Sequence, residues 1–331
     1  MTQMDALLAY CRILTFRRIC NLIRCRWNYR WSRNGKIRVS HYPVFLSVEP
    51  ADWCMLHCPQ CPVGIRRTDK PHHLLSASLL HKVLAECSGY AHTMLFYFQG
   101  EPLLNKQLPA LIRQAVQDNL YTIVSTNAQL LDAEMAEQLV CSGLNKIIVS
   151  IDGFTQSSYE VYRVGGNLQK ALEGLKHINV AKRKYKSQVV IELQCLYLKS
   201  NEQEWDWIRK NYRQLGATKL SMKTAQFYDF EEGNQLMPND NRRSRYKRDT
   251  EGRWYRKKTL RNRCYRLWSG CVIDAQGNVL PCCFDKNREH SFGNINNESF
   301  RNIWTGKKAV LFRKKLISAR IDMAICRNCT E

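Results

Sequence analysis

No stretch of this 331-residue chain holds the roughly eighteen consecutive apolar residues of a membrane-spanning helix, so none is expected. The start lacks a secretory core segment too. Its longest apolar run, Ala6 to Cys11, ends at Arg12 and is too short to be one. A cytoplasmic location is therefore expected. Internal repeats and low-complexity tracts are missing, which excludes solenoids and collagen-like arrays. Acids are scarce: 29 Asp and Glu face 51 Lys and Arg, for a formal net charge of +22. With 44% hydrophobic and 24% charged residues, the bulk is of ordinary globular composition. The length allows one large domain, alone or with a small one.

The excess of base is concentrated. Residues 1–40 hold nine Lys or Arg and one acid; residues 242–263 hold eleven and two. Such segments read as a solvated tail and loop, or as contacts for an anionic partner such as nucleic acid or a membrane surface. Plotted at helical spacing, the apolar residues of 5–27 fall on all sides. That pattern does not predict an amphipathic helix lying on a membrane.

Cysteine is abundant, with fifteen residues. In a reducing compartment metal ligation or packing is expected before disulfides. Seven have informative spacing. Cys54, Cys58 and Cys61 form C-x3-C-x2-C, with prolines at 59 and 62. Three thiolates this close can grip three irons of a four-iron cube and leave the fourth iron open. Zinc is the rival, since His57 supplies a fourth donor, but its position next to Cys58 strains that geometry. Cys264, Cys282, Cys326 and Cys329 are spaced x17, x43 and x2. Four such thiols suit either a cluster or a zinc ribbon. Cys271 and Cys283 are left over, and Cys283 is an alternative to Cys282 as ligand because neighbouring strand residues face opposite ways. Cys11, Cys20, Cys25, Cys87, Cys141 and Cys195 read as packing or incidental residues.

From residue 43 strand-like and helix-like stretches alternate. Strands are expected at 44–48, 94–98, 121–125, 146–151, 189–196 and 219–223. Helices are expected at 78–87 (capped by Ser76 or Ser78), 108–118, 132–142, 168–184 and 202–215. Six β–α units in succession predict a parallel sheet with right-handed crossovers. Six strands are too few to close a barrel, so the fold class is α/β: a partial, TIM-like (β/α)6 barrel followed by a small cysteine-rich domain. The expected divisions are a basic extension (1–42), a core (43–227), a basic linker or long loop (228–263) and a cysteine-rich region (264–331). In barrels of this kind function gathers at strand C-termini. Glu101, Ser125, Asn127 and Asp152 fall there; Asn127 and the Asp152-Gly153 pair also read as plain turn residues.

A C-x3-C-x2-C loop after the first strand of such a series resembles the radical S-adenosylmethionine (SAM) superfamily. Tyr97-Phe98-Gln99-Gly100-Glu101-Pro102 is similar to that superfamily's glycine–glutamate motif, with Gln99 where many members have glycine. The resemblance implies that Cys54, Cys58 and Cys61 hold a [4Fe-4S] cluster whose open iron binds SAM. It implies SAM contacts at Gly100, Glu101, Ser125, Asn127, Ser150, Asp152, Arg163 and Gln194. Residues 264–331 resemble the short SPASM form called Twitch, with Ile273 to Cys282 reading as a hairpin that turns at Gln276-Gly277-Asn278. There the resemblance implies a second, auxiliary [4Fe-4S] cluster on Cys264, Cys282, Cys326 and Cys329. The implied activity is reductive cleavage of SAM to a 5′-deoxyadenosyl radical that abstracts hydrogen. The implied outcome is net oxidation of a carbohydrate-type alcohol or a peptide side chain, with a low-potential donor such as flavodoxin or ferredoxin. The residues themselves also admit an RNA- or peptide-modifying enzyme docked through its basic segments, or a zinc-binding adaptor without catalysis. They do not single out a catalytic base.

Overall fold

Residues 13–65 and 71–329 are described by the structure, a computed structural model; Cys11 and the apolar run that it ends lie outside them. Helix α1 (Phe16–Ser32) comes first, capped by the Thr15 hydroxyl, which accepts from the Arg18 N–H. Six strands follow: β1 (Phe45–Val48), β2 (Thr93–Phe96), β3 (Tyr121–Thr126), β4 (Lys146–Ser150), β5 (Val190–Tyr197) and β6 (Lys219–Thr224). They pair in chain order and all parallel. Helices α2 (Pro62–Ile65), α3 (Ala77–Cys87), α4 (Leu108–Gln117), α5 (Ala133–Cys141), α6 (Gln156–Glu160), α7 (Leu168–Lys184) and α8 (Trp205–Asn211) connect them. This is the partial TIM-like barrel that the β–α alternation predicts. Ser76, not Ser78, caps α3, accepting from the Leu79 N–H at 3.1 Å. The helix expected over 202–215 is shorter, because a 3-10 turn over Lys199–Glu204 precedes α8.

The strands have two unlike faces. Leu46, Val48, Met94, Phe96, Val124, Ile147, Val149, Ile191 and Leu193 are fully buried in one core with the helices. Each such side chain contributes roughly 2 kcal/mol of transfer free energy. The alternate positions carry Ser47, Ser125, Ser150, Glu192 and Gln194, and the register puts Ser150 beside Gln194 on neighbouring strands. Phe45, Leu95, Ile123 and Ile148 share that second face, so a period of two separates an apolar, helix-covered face from a lumen of mixed polarity.

The sheet does not stop at β1. Strand β9 (Gly270–Ile273) pairs with β1 in parallel, β10 (Asn278–Leu280) returns antiparallel, and β11 (Gly293–Asn294) closes a nine-stranded sheet. Gly277, at φ +89°, makes the hairpin turn. Between core and hairpin, where the sequence reads as linker or loop, β7 (Tyr246–Arg248) and β8 (Trp254–Arg256) form a separate two-stranded sheet. Its anchor is the buried Tyr246, whose hydroxyl accepts from the Phe227 N–H and donates to Asn328 Oδ1. Strands of three residues are too short to show an alternation. Helices α9 (Arg266–Ser269), α10 (Phe300–Thr305), α11 (Lys307–Ala319) and α12 (Ala324–Arg327) complete the chain.

Helix α1 is inverted relative to an ordinary surface helix. Its inward residues Arg18, Asn21, Cys25, Asn28 and Ser32 are buried. Arg18 donates to the carbonyls of Ser88, Asp118 and Asn119, in the turns that lead from α3 and α4 into β2 and β3. Asn21 donates to Tyr42 O, and Asn28 to His41 Nδ1. The helix therefore lies across the foot of the barrel, held by polar contacts.

Candidate functional site

The loop after β1 carries Cys54, Cys58 and Cys61, and four glycine or backbone contacts shape it. Gly100, just past β2, sits so close that a Cβ there would come within 2.0 Å of Ala51 O. The next residue, Glu101, donates its N–H to Trp53 O at 2.8 Å. On the far side a Cβ at Gly64 would meet Cys58 N at 2.6 Å, and His57 N donates to Val164 O.

Donors converge on the sulfurs. The Leu56 N–H and the Asn127 amide reach Cys54 Sγ at 3.4 Å each, and the Arg163 guanidinium approaches Cys58 Sγ at 3.9 Å. Burial, then Glu101 and the sister thiols, push the Cys54 thiol up to about 12. Burial also raises Cys58, against the pull of Arg163. Buried thiolates call for cationic compensation, which iron would supply. A donor set of three loop thiols surrounded by N–H groups fits an iron–sulfur cluster.

The implied SAM contacts divide into two groups. Glu101 is buried and already engaged: Oε1 accepts from Thr126 Oγ1 and Leu103 N, Oε2 from Asn127 N. Burial raises its carboxyl, and those hydrogen bonds oppose the rise. Asp152 pairs with Arg163 at 2.6 Å and accepts from Leu196 N. Burial lowers the Arg163 pKa, but Asp152 and then Cys58 outweigh it and hold the cation well above its ordinary value. Ser125, Ser150 and Gln194, by contrast, share the lumen face. Arg163 as a neighbour of Cys58 was not legible in the sequence, since 105 residues separate the two.

Three of the second set, Cys264, Cys326 and Cys329, interact with Arg320, a buried residue that the sequence does not single out. Its guanidinium donates to Cys329 Sγ at 3.4 Å and to the carbonyls of Arg261 and Arg263. Cys282 interacts through charge with Cys283 first and then with Cys264 and Cys326, and Cys283 acts also on Tyr97 and on the half-buried Lys286. Both thiols nevertheless line one small cavity just past the end of β10. Lys286 feels the charge of Cys61 as well as that of Cys283. A cavity of about 830 Å³ opens there, lined by Pro62, Ile65, Tyr228, Phe284, Lys286 and Ile325, among others. A larger one, about 1120 Å³, begins at the strand starts (Val44, Thr93, Tyr121) and extends to Tyr97 and Cys264. No cysteine lines the first, but Pro62 next to Cys61 and Ile325 and Arg327 either side of Cys326 do, so it borders both cysteine loops; the second is lined by Cys264.

Residues 48–196 match the radical SAM superfamily, and residues 264–330 match SPASM, an iron-sulfur cluster-binding domain. The chain belongs to the radical SAM superfamily of enzymes and carries a C-terminal SPASM domain. Membership brings a SAM-binding [4Fe-4S] cluster, SAM and iron–sulfur binding by the SPASM domain. Among curated relatives, the AdoMet-dependent heme synthase of Methanosarcina barkeri is 22% identical over 320 residues, covering 84% of this chain and 86% of that one. The PqqA peptide cyclase of Granulibacter bethesdensis is 25% identical over 186 residues, 56% of this chain and 48% of that one. The GTP 3′,8-cyclase of Peptoclostridium acidaminophilum is 28% identical over 134 residues, 40% and 41%. The chain thus spans less than half the length of these two cyclases. Among solved structures, BtrN in complex with AdoMet and 2-DOIA superposes with a TM-score of 0.52 at 19% identity, over 89% of this chain and 95% of BtrN. Streptococcus suis SuiB bound to S-adenosylmethionine does so at 0.62 and 14%, over 92% and 75%. Both likenesses are of fold. Among the described residues, no helix of this radical SAM protein is long and apolar enough to cross a membrane.

Proposed function

We propose that this enzyme cleaves SAM reductively and oxidises a small-molecule or peptide substrate held between two iron–sulfur clusters. One observation carries the reading: the cavity of about 830 Å³ borders both the Cys61 side of the first loop and the helix bearing Cys326. Cys54, Cys58 and Cys61 would hold the first cluster, and Cys264, Cys282, Cys326 and Cys329 a single auxiliary one. Cys283, which lines the same small cavity as Cys282, is the alternative fourth ligand. When bound, the first cluster supplies the electron that splits SAM into methionine and a 5′-deoxyadenosyl radical.

The chain's own residues divide the remaining work. Ser125, Ser150 and Gln194 line the lumen and would bind SAM together with the backbone of Gly100. Glu101 orients Asn127, and Asp152 holds Arg163 against Cys58, so these four act by positioning as much as by contact. Phe284 and Tyr228 would exclude water from the substrate, and Lys286 would offer it a cation. BtrN with 2-DOIA and SuiB with its precursor peptide SuiA are the fold neighbours that motivate the two substrate classes.

The test is anaerobic. Purified protein is expected to carry about eight iron and eight sulfide per chain and to release 5′-deoxyadenosine with dithionite, flavodoxin or ferredoxin. Replacing Cys54, Cys58 and Cys61 by Ala abolishes that release. Replacing Cys326 and Cys329 leaves uncoupled cleavage but prevents oxidation of substrate. Colourless protein that never forms 5′-deoxyadenosine overturns the proposal.

A further inference from the structure

The outward face of α1 has no use in the barrel. Phe16, Ile19, Ile23, Trp27 and Trp31 stand at i, i+3, i+7, i+11 and i+15 along it, which puts them on one stripe. They are 83, 40, 60, 60 and 45% exposed. Five large apolar side chains on one side of a helix whose buried side is Arg18, Asn21, Cys25, Asn28 and Ser32 reverse the ordinary order of a surface helix. The sequence window 5–27 hid this, because inward Leu22 and Cys25 and the residues before the Thr15 cap fill the other sectors of the wheel.

Charge identifies what the stripe faces. At 100° per residue Arg17 and Arg24 border it on one side and Arg26 on the other, and Arg30 falls within it. Arg24, Arg26, Arg30, Arg33, Lys36 and Arg38 are all exposed, and residues 13–40 contain no Asp or Glu. A second copy of the chain would bring these arginines against their own kind. Nucleic acid would leave phenylalanine, isoleucine and tryptophan in water. An apolar stripe with tryptophans, bordered by arginine, fits the boundary between acyl chains and anionic headgroups.

We propose that α1 is a membrane-surface helix that docks the enzyme, foot first, on bilayers containing anionic lipid. Arg18 ties the helix to the turns before β2 and β3, so the docked barrel turns its cluster loop, at the opposite strand ends, away from the lipid. A soluble electron donor can then reach that end.

Flotation of the full-chain holoenzyme with vesicles tests this. It is expected to float with vesicles of phosphatidylcholine mixed with phosphatidylglycerol, more weakly with phosphatidylcholine alone, and less as salt is added. The double variant Ile23→Ser, Trp27→Ser should partition at least about tenfold less while keeping its melting temperature and SAM cleavage, since both residues are exposed. Arg24→Gln with Arg30→Gln should abolish the preference for the anionic vesicles. Wild-type protein that stays unbound with anionic vesicles overturns the proposal. So does a double variant that floats like the wild type. A wild type that dimerises in sedimentation without floating, and becomes monomeric on Ile23→Ser, Trp27→Ser, assigns the stripe to a second copy and also overturns it.

Discussion

Several of the decisive residues are buried polar groups with particular partners. Arg163 is the clearest: it neutralises Asp152 and turns its remaining N–H groups to Cys58. Arg163→Ala leaves a buried carboxylate without its cation, so a loss of about 3–5 kcal/mol in urea unfolding is expected, partly restored by Arg163→Lys. His41 makes a second prediction. Its Nε2–H donates to Trp268 O and its Nδ1 accepts from Asn28, so it is buried in the neutral form, and burial lowers its pKa from 6.5 to about 4. The unfolded chain takes up a proton that the folded one refuses. Stability is therefore intact above pH 6.5 and falls as the pH drops from 6.5 to 4, by roughly 3 kcal/mol at the low end. Glu49, raised by burial from 4.5 to about 7, acts in the opposite sense, losing stability as the pH rises through that window. The readout is thus the difference between wild type and His41→Gln in urea midpoints, which should grow steadily below pH 6.5. Sequence spacing pointed to the cysteines, whose chemistry is written in their intervals. It could not point to Arg163, Arg320 or His41, whose roles depend on contacts across more than two hundred residues in the case of His41 and Trp268.

Elements were legible where local chemistry fixes them. Ser76, Asp132 and Asn167 cap their helices, and Gly143 and Gly277 adopt the positive φ that turns require. Strand order followed from β–α alternation alone. Helix α1 was not legible, because its phase is set by carbonyls at the foot of the barrel that no window of sequence contains. The role of Gly100 sits between the two cases: a motif marks it, yet only the fold shows what it clears. Gly100→Ala would place a methyl 2.0 Å from Ala51 O and 2.7 Å from Trp53 O, forcing the end of β2 off the cysteine loop. A loss of about 2 kcal/mol or more and a fall in iron per chain are expected. Ser76→Ala is the contrast: about 1 kcal/mol lost with iron content unchanged, since only the α3 cap is removed. Equal iron loss in both variants would detach the Gly100 effect from the cysteine loop.

At the scale of the molecule, barrel and SPASM domain share one sheet. Glu49 just past β1 meets Arg288, which also approaches Asp274 beyond β9, so an ion pair crosses the same seam as the strand ladder. Trp304 adds its indole N–H to His41 O from the far end of the chain. Calorimetry of the holoenzyme is expected to show one transition, and Arg288→Ala to lower its midpoint without splitting it. Two separate peaks would mean that the cysteine-rich unit melts by itself.

That shared ladder has a consequence for synthesis. Phe45 leaves the ribosome early, yet the outer partner of its strand, beginning at Gly270, arrives more than two hundred residues later. Until then the β1 margin stays bare beside three cysteines, a template for wrong pairing. Products terminated before the hairpin should therefore precipitate, and cluster loading should wait until translation is almost finished.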